Sequence, residues 1–288
     1  MGRAKPSSAA AVLKVALLVI VVAAASIVVR GCRGSTAGSG AASLFAKENI
    51  DTYVLQFGED FKPALASRDD LGITVELAID VSGSMSDSPH SGGAAKYVQA
   101  SQALVRVVEV LGRLVRNAPE GQALKVGLLS FNQDVTELLP PTTMDVEGIA
   151  RLAALVGDPE NLTPGGSTAI GEAIQIGAAR LSQSGTILRS LIVVTDGENT
   201  AGLAPAWALS ALYGNRNSAS TPDYAVYTSS ILVSFIGFDV DSGTFEPMSR
   251  YGARVLSASD RAQLESALSG LLEADVTKLE APALGGAK

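Results

Sequence analysis

The sequence predicts an α/β domain with a doubly wound, mostly parallel central sheet flanked by helices on both faces, preceded by one N-terminal transmembrane helix. Three observations predict it. Apolar runs of strand length at 73–79, 125–131, 187–195 and 231–236 alternate with stretches whose apolar residues recur at three and four. That alternation places helices over a parallel sheet. The run at 187–195 reads as a strand covered on both faces. A further run, 9–29, is apolar over a length that crosses a bilayer as one helix.

The chain has 288 residues, enough for one good-sized domain and an appendage. Hydrophobic residues are 47% of it, part of them in the N-terminal run. Basic residues number 22 against 29 acidic, net −7, with no basic stripe, which argues against nucleic acid as a partner. The acidity suits cation binding and, equally, plain solubility. One cysteine, Cys32, excludes an intrachain disulfide. With one histidine besides, His90, there is almost no material for a His/Cys zinc site or a Ser-His-Asp nucleophile system.

Residues 1–8 are expected to be a cytoplasmic N-terminus. The run at 9–29 has three readings: a signal anchor, which we favour; a signal peptide cleaved near Ala23-Ala24-Ala25; and a buried core helix, which the lack of a polar face disfavours. Lys14 lies near its start, where a lysine stem reaches the interface. Arg3, Lys5, Lys14 and the terminal amine outnumber Arg30 and Arg33, so the globular part is expected in a periplasm or outside the cell. Arg30 beside Gly31-Cys32 fits a lipoprotein signal badly, so Cys32 is expected as a free thiol. Residues 30–43, rich in Gly and Ser, read as a flexible linker. Residues 44–70 form a pre-domain segment, 71–274 the domain, and 275–288 a C-terminal tail.

The first strand, 73–79, runs into Asp80-Val81-Ser82-Gly83-Ser84-Met85-Ser86. Alternation in an extended chain points Asp80, Ser82 and Ser84 the same way, and Gly83 permits a tight turn. A polar loop at 86–95 holds His90, read as solvated. Tyr97, Ala100, Leu104, Val107, Val108, Leu111, Leu114 and Val115 then mark an amphipathic helix of about five turns. After the strand at 125–131, a short strand at 135–139 is expected to end at Pro140-Pro141. Residues 146–156 read as a helix. Pro164-Gly165-Gly166-Ser167 delivers Thr168 to the start of another, whose buried face is Ile170, Ala173, Ile174, Gly177, Ala178 and Leu181. Its free N–H groups and positive dipole end disfavour a bare cation nearby, which the carboxylates must outweigh.

The strand at 187–195 leads into Asp196-Gly197. A helix at 204–213, a polar loop at 214–223, a strand at 231–236, a short helix at 244–251 and a last strand at 253–256 follow. A closing helix capped by Asp260 carries Leu264, Ala267, Leu268, Leu271 and Leu272. Asp80 and Asp196 thus both sit at strand C-termini, where such sheets bind ligands. Oxygen-only donors with neutral hydroxyls suit Mg²⁺ best, with Mn²⁺ or Ca²⁺ as alternatives.

Asp80-x-Ser82-x-Ser84, then Thr168 after a Gly-rich loop, then Asp196 in Thr195-Asp196-Gly197, resembles the von Willebrand factor type A family over about residues 71–274. All five positions of that family's metal-ion-dependent adhesion site are present in order. The resemblance implies a metal bound directly by Ser82, Ser84 and Thr168, with Asp80 and Asp196 acting through waters. It implies one open position, filled by an acidic residue of a partner protein. The expected function is therefore metal-dependent protein binding, adhesion or complex assembly, tethered to a membrane, and not catalysis. Two alternatives stay open: a structural subunit of an envelope complex without metal-bridged binding, and a metal-assisted hydrolase using His90. Asp87 and Glu172 read as solvated acids, Glu198 and Asn199 as rim residues, and Trp207, Leu203 and Leu209 as packing. Glu76 reads as edge-facing or paired with a helix end.

Overall fold

The computed structural model describes residues 72–118, 122–213, 231–241 and 243–277. The segment at 9–29, the linker, the pre-domain segment and the loop at 214–223 lie outside them. Among the described residues no helix is long and apolar enough to cross a membrane.

Among the described residues six strands form one sheet: β1 (Gly72–Asp80), β2 (Ala123–Phe131), β3 (Val135–Thr143), β4 (Leu188–Thr195), β5 (Ile231–Phe238) and β6 (Arg254–Ala258), in the order β3-β2-β1-β4-β5-β6. Only β3 runs antiparallel to its neighbour. The helices are α1 (Lys96–Asn117), α2 (Val146–Val156), α3 (Ile170–Ser182), α4 (Pro205–Tyr213) and α5 (Arg261–Thr277). The closing helix thus reaches Thr277, into the expected tail, and Asp260 caps it by accepting from Gln263 N at 2.9 Å.

Period-two alternation splits the core. Ile73, Val75, Leu77 and Ile79 of β1 join α1 (Leu104, Val107, Leu111) and α5 (Leu264, Leu268, Leu272) on one face. Leu191 and Val193 of β4 join α3 (Ile170, Ile174, Leu181) and α4 (Trp207, Leu209) on the other. Burying each large aliphatic side chain stabilises the fold by about 1.5–3 kcal/mol. The central strands are buried on both faces, as their unbroken apolar runs predict.

Pro140 and Pro141 do not end β3, which continues to Thr143. β3 is an edge strand, where a missing N–H costs least, and both prolines fall in the register shift between Leu128↔Leu139 and Val126↔Thr142. Glu76 is not edge-facing. It lies buried in the central strand, 3.3 Å from Arg180 Nε in the last turn of α3. Arg180 also pairs with Glu137 and donates to Leu139 O at 2.9 Å, so it ties α3 to β1 and β3. A Cβ on Gly127 would come within 2.4 Å of Glu76 Oε2, so β2 needs glycine opposite the acid.

The chain lays β2 and β3 on one side of β1, then crosses to lay β4, β5 and β6 on the other. Where strand order reverses, crossover connections diverge and leave a crevice beyond the strand C-termini. That reversal lies between β1 and β4, beside Asp80 and Asp196.

Candidate metal centre

The register sets Ile79 opposite Val194, so Asp80 arrives beside Thr195, one residue before Asp196. Thr195 Oγ1 donates to Asp80 Oδ2 at 2.6 Å, and Ser82 N donates to Oδ1 at 2.7 Å. Asp80 is fully buried, and its two oxygens are held by β4 and by its own turn. Burial pushes its carboxyl up to about pKa 6. The hydrogen bonds from Thr195 and Ser82 partly offset that, and the nearby Asp196 charge adds to it.

Beyond Ser82 the chain departs from simple alternation. Gly83–Ser86 is a 3₁₀ turn, closed by Met85 N to Ser82 O at 3.1 Å and Ser86 Oγ to Gly83 O at 2.7 Å. Its buried Met85 enters the core and anchors the turn. The turn, and not an extended strand, brings the serines together: Ser82 Oγ lies 3.2 Å from Ser84 Oγ. Ser84 Oγ in turn donates to Asp196 Oδ1 at 2.7 Å. Ser82 and Asp196 are buried, whereas Ser84 is exposed, so the cluster opens to solvent on the Ser84 side.

Thr168 is buried and held between the two loops that carry the other four residues. Gly165 N donates to Val81 O at 2.8 Å, and Gly83 N to Gly166 O at 3.0 Å. Gly166 has φ 77°, a left-handed conformation that suits glycine. From the other side, Thr200 Oγ1 accepts from Thr168 N at 2.8 Å, and Thr168 O accepts from Thr200 N and Ala201 N.

Asn199 is not a free rim residue. Its Oδ1 accepts from Ile170 N at 2.7 Å and its Nδ2 donates to Ala201 O, so it satisfies the opening N–H of α3. Glu198 is exposed. Glu172 is half-buried and accepts from Leu203 N at 2.7 Å, so it braces a loop where a solvated acid was expected. Asp87 is exposed, as expected. Trp207, Leu203 and Leu209 are packing residues in the second core.

Two further residues complete the surroundings, and the sequence reading missed both. Lys96, first residue of α1, is buried and donates to Asp196 Oδ2 at 2.8 Å, with Asp239 Oδ2 at 3.5 Å. Burial alone would lower its pKa, but Asp196 and Asp239 outweigh that and hold the ammonium above its ordinary value. Asp239 directly follows β5, a third strand-end carboxylate after Asp80 and Asp196. That recurrence of position is the signal that could have found it. His90 is exposed, yet its N and Nδ1 both lie on Asp239 Oδ1, at 3.0 and 3.1 Å, so its loop is tied to this cluster.

Among the described residues no three His, Cys, Asp or Glu side chains converge as a metal cluster, and the candidate set here is one of hydroxyls and carboxylates. The oxygen set fits an ion. Ser82 Oγ and Ser84 Oγ lie 3.2 Å apart, close to the roughly 3.0 Å edge of an octahedron with Mg²⁺–O bonds near 2.1 Å, and Asp196 Oδ1 braces Ser84 by accepting its hydroxyl at 2.7 Å.

Residues 75–198 match the family model of the von Willebrand factor type A domain. No curated protein matches the sequence. Among solved structures, the PilB minor pilin from Streptococcus sanguinis aligns with TM-score 0.55 at 16% identity, over 74% of this chain and 63% of that one. A von Willebrand factor type A protein from Catenulispora acidiphila aligns with TM-score 0.53 at 16% identity, over 70% and 42%. The von Willebrand factor domain of the type V pili tip protein Mfa5 from Porphyromonas gingivalis aligns with TM-score 0.51 at 14% identity, over 73% and 97%. The chain thus spans less than two thirds of the length of the minor pilin. At these identities the likeness is one of fold.

Proposed function

We propose that this is a divalent-metal-dependent protein-binding domain tethered to a membrane, acting in adhesion or complex assembly. Asp80, Ser82, Ser84, Thr168 and Asp196 hold Mg²⁺, and an acidic residue of a partner protein completes the coordination. The observation that carries the reading is the oxygen chain Ser82–Ser84–Asp196, open to solvent at Ser84 and seated at the strand-order reversal. The bound ion would supply a positive centre for an incoming carboxylate. The protein's own part is to hold hydroxyls and carboxylates in place: Thr195 and Ser82 N fix Asp80, and Met85 anchors the serine turn. The family match over 75–198, and a pilin and a pilus tip protein among structures of this fold, agree with an adhesive role. The tether rests on the apolar run at 9–29, with the domain outside the cytoplasm.

Isothermal titration of Mg²⁺ into the full-length protein in detergent tests the ion. Wild type should bind and Asp80→Ala should lose at least tenfold in affinity; equal affinities would remove the site. A second reading, docking without metal, is favoured by the Lys96–Asp196 ion pair, which already sets a cation on the site. Partner capture that survives EDTA would select it.

A further inference from the structure

We propose that Lys96 is a resident counter-cation: it holds Asp196 when no divalent ion is bound, and it keeps the ion's affinity low. The inference rests on the metal-binding reading and specifies how that site is regulated. A lysine is rarely buried unless paired, and Lys96 is 8% exposed. It is fixed at both ends, by Lys96 N to Asp87 O at 2.9 Å and by Nζ to Asp196 Oδ2 at 2.8 Å. Asp196 divides its oxygens, giving Oδ1 to Ser84 and Oδ2 to Lys96, so ammonium and metal ligand share one carboxylate.

Asp239 holds the ammonium from the far side. Its φ of 59° is left-handed, a conformation that among non-glycine residues Asp is one of the few to tolerate, and His90 holds its carboxylate in turn. A helix start, a strand end and a loop residue thus converge to place one positive charge beside the serines. Two consequences follow from charge alone. Without an ion, Lys96 neutralises Asp196, so the site stays formed. When an ion arrives, the ammonium is a like charge a few ångströms away in a poorly solvated place, where screening is weak.

The test compares Lys96→Met and Lys96→Gln with wild type, full length in detergent, by Mg²⁺ titration and by thermal melting in EDTA. The expected result is about tenfold tighter Mg²⁺ binding or more in both variants, with lower melting in EDTA that saturating Mg²⁺ restores. Unchanged or weaker Mg²⁺ binding in the folded variants would overturn the inference while wild-type binding leaves the metal site standing. If neither variant folds in EDTA, refolding in millimolar Mg²⁺ decides: recovery supports a cation role that Mg²⁺ can assume, and no recovery overturns it. If wild type itself takes up no Mg²⁺, the metal reading falls and this inference with it.

Discussion

Burial holds the Glu76 carboxyl up at a pKa of about 7, and the Arg180 charge and contact only partly offset that. The folded state therefore grips this proton more tightly than the unfolded chain does. Stability from this group is full below the ordinary value of 4.5 and is lost as pH rises through about 7. Glu76→Gln should remove that loss. At pH 8 the variant should be more stable than wild type, by on the order of 2 kcal/mol, with little difference at pH 4. Urea melts at the two pH values measure this, and a variant that loses stability at pH 8 would show that the Arg180 pair outweighs desolvation. The sequence placed Glu76 in a strand but left its partner open. Arg180 lies over a hundred residues away, and only the packing of α3 on the sheet brings them together.

At the scale of elements, α5 is fastened by one buried acid. Asp275 accepts from Arg254 Nη1 and Nη2 at 2.9 and 2.8 Å and from Ser190 Oγ at 2.7 Å, which ties the helix to β6 and β4. Asp275→Ala leaves the arginine without its buried partner and should cost about 3–5 kcal/mol, read as a lower urea midpoint. Gly127→Ala should cost about 1–3 kcal/mol by the same measurement, because the new methyl overlaps the Glu76 carboxylate. Most elements were legible because their apolar periods are strong: the helix expected at 146–156 is α2, with those bounds. The failures were local. Pro140-Pro141 reads equally as a strand end or as an edge strand, and only the sheet order, which puts β3 outermost, decides between them. Gly83 marks a tight turn between the serines, but the 3₁₀ form of that turn over Gly83–Ser86 has no period to read.

At the scale of the molecule, strand order decides where the chemistry sits. Four loops, after β1, β4 and β5 and before α3, meet at one end of the sheet, bringing in residues as distant as Ser82, Thr168, Asp196 and Asp239. The first three were legible because a motif carries them, in a spacing that resembles a known family. Lys96 was not: alone at the start of a helix it looks like a solvated end, and its burial depends on carboxylates 100 and 143 residues further on. An ion that binds only the folded state stabilises it by mass action, about 2.7 kcal/mol at a hundred times its dissociation constant. Saturating Mg²⁺ should therefore raise the melting temperature of wild type and leave Asp196→Ala unmoved; an equal rise in both would point to an ion elsewhere.

The most direct measurement is anomalous diffraction from crystals soaked in Mn²⁺, which takes the same oxygen ligands and can be located by its scattering. One peak should lie within about 2.3 Å of the hydroxyl oxygens of Ser82, Ser84 and Thr168, with water or an acidic group at the solvent side. No peak there, or a peak bonded to other residues, would contradict the account.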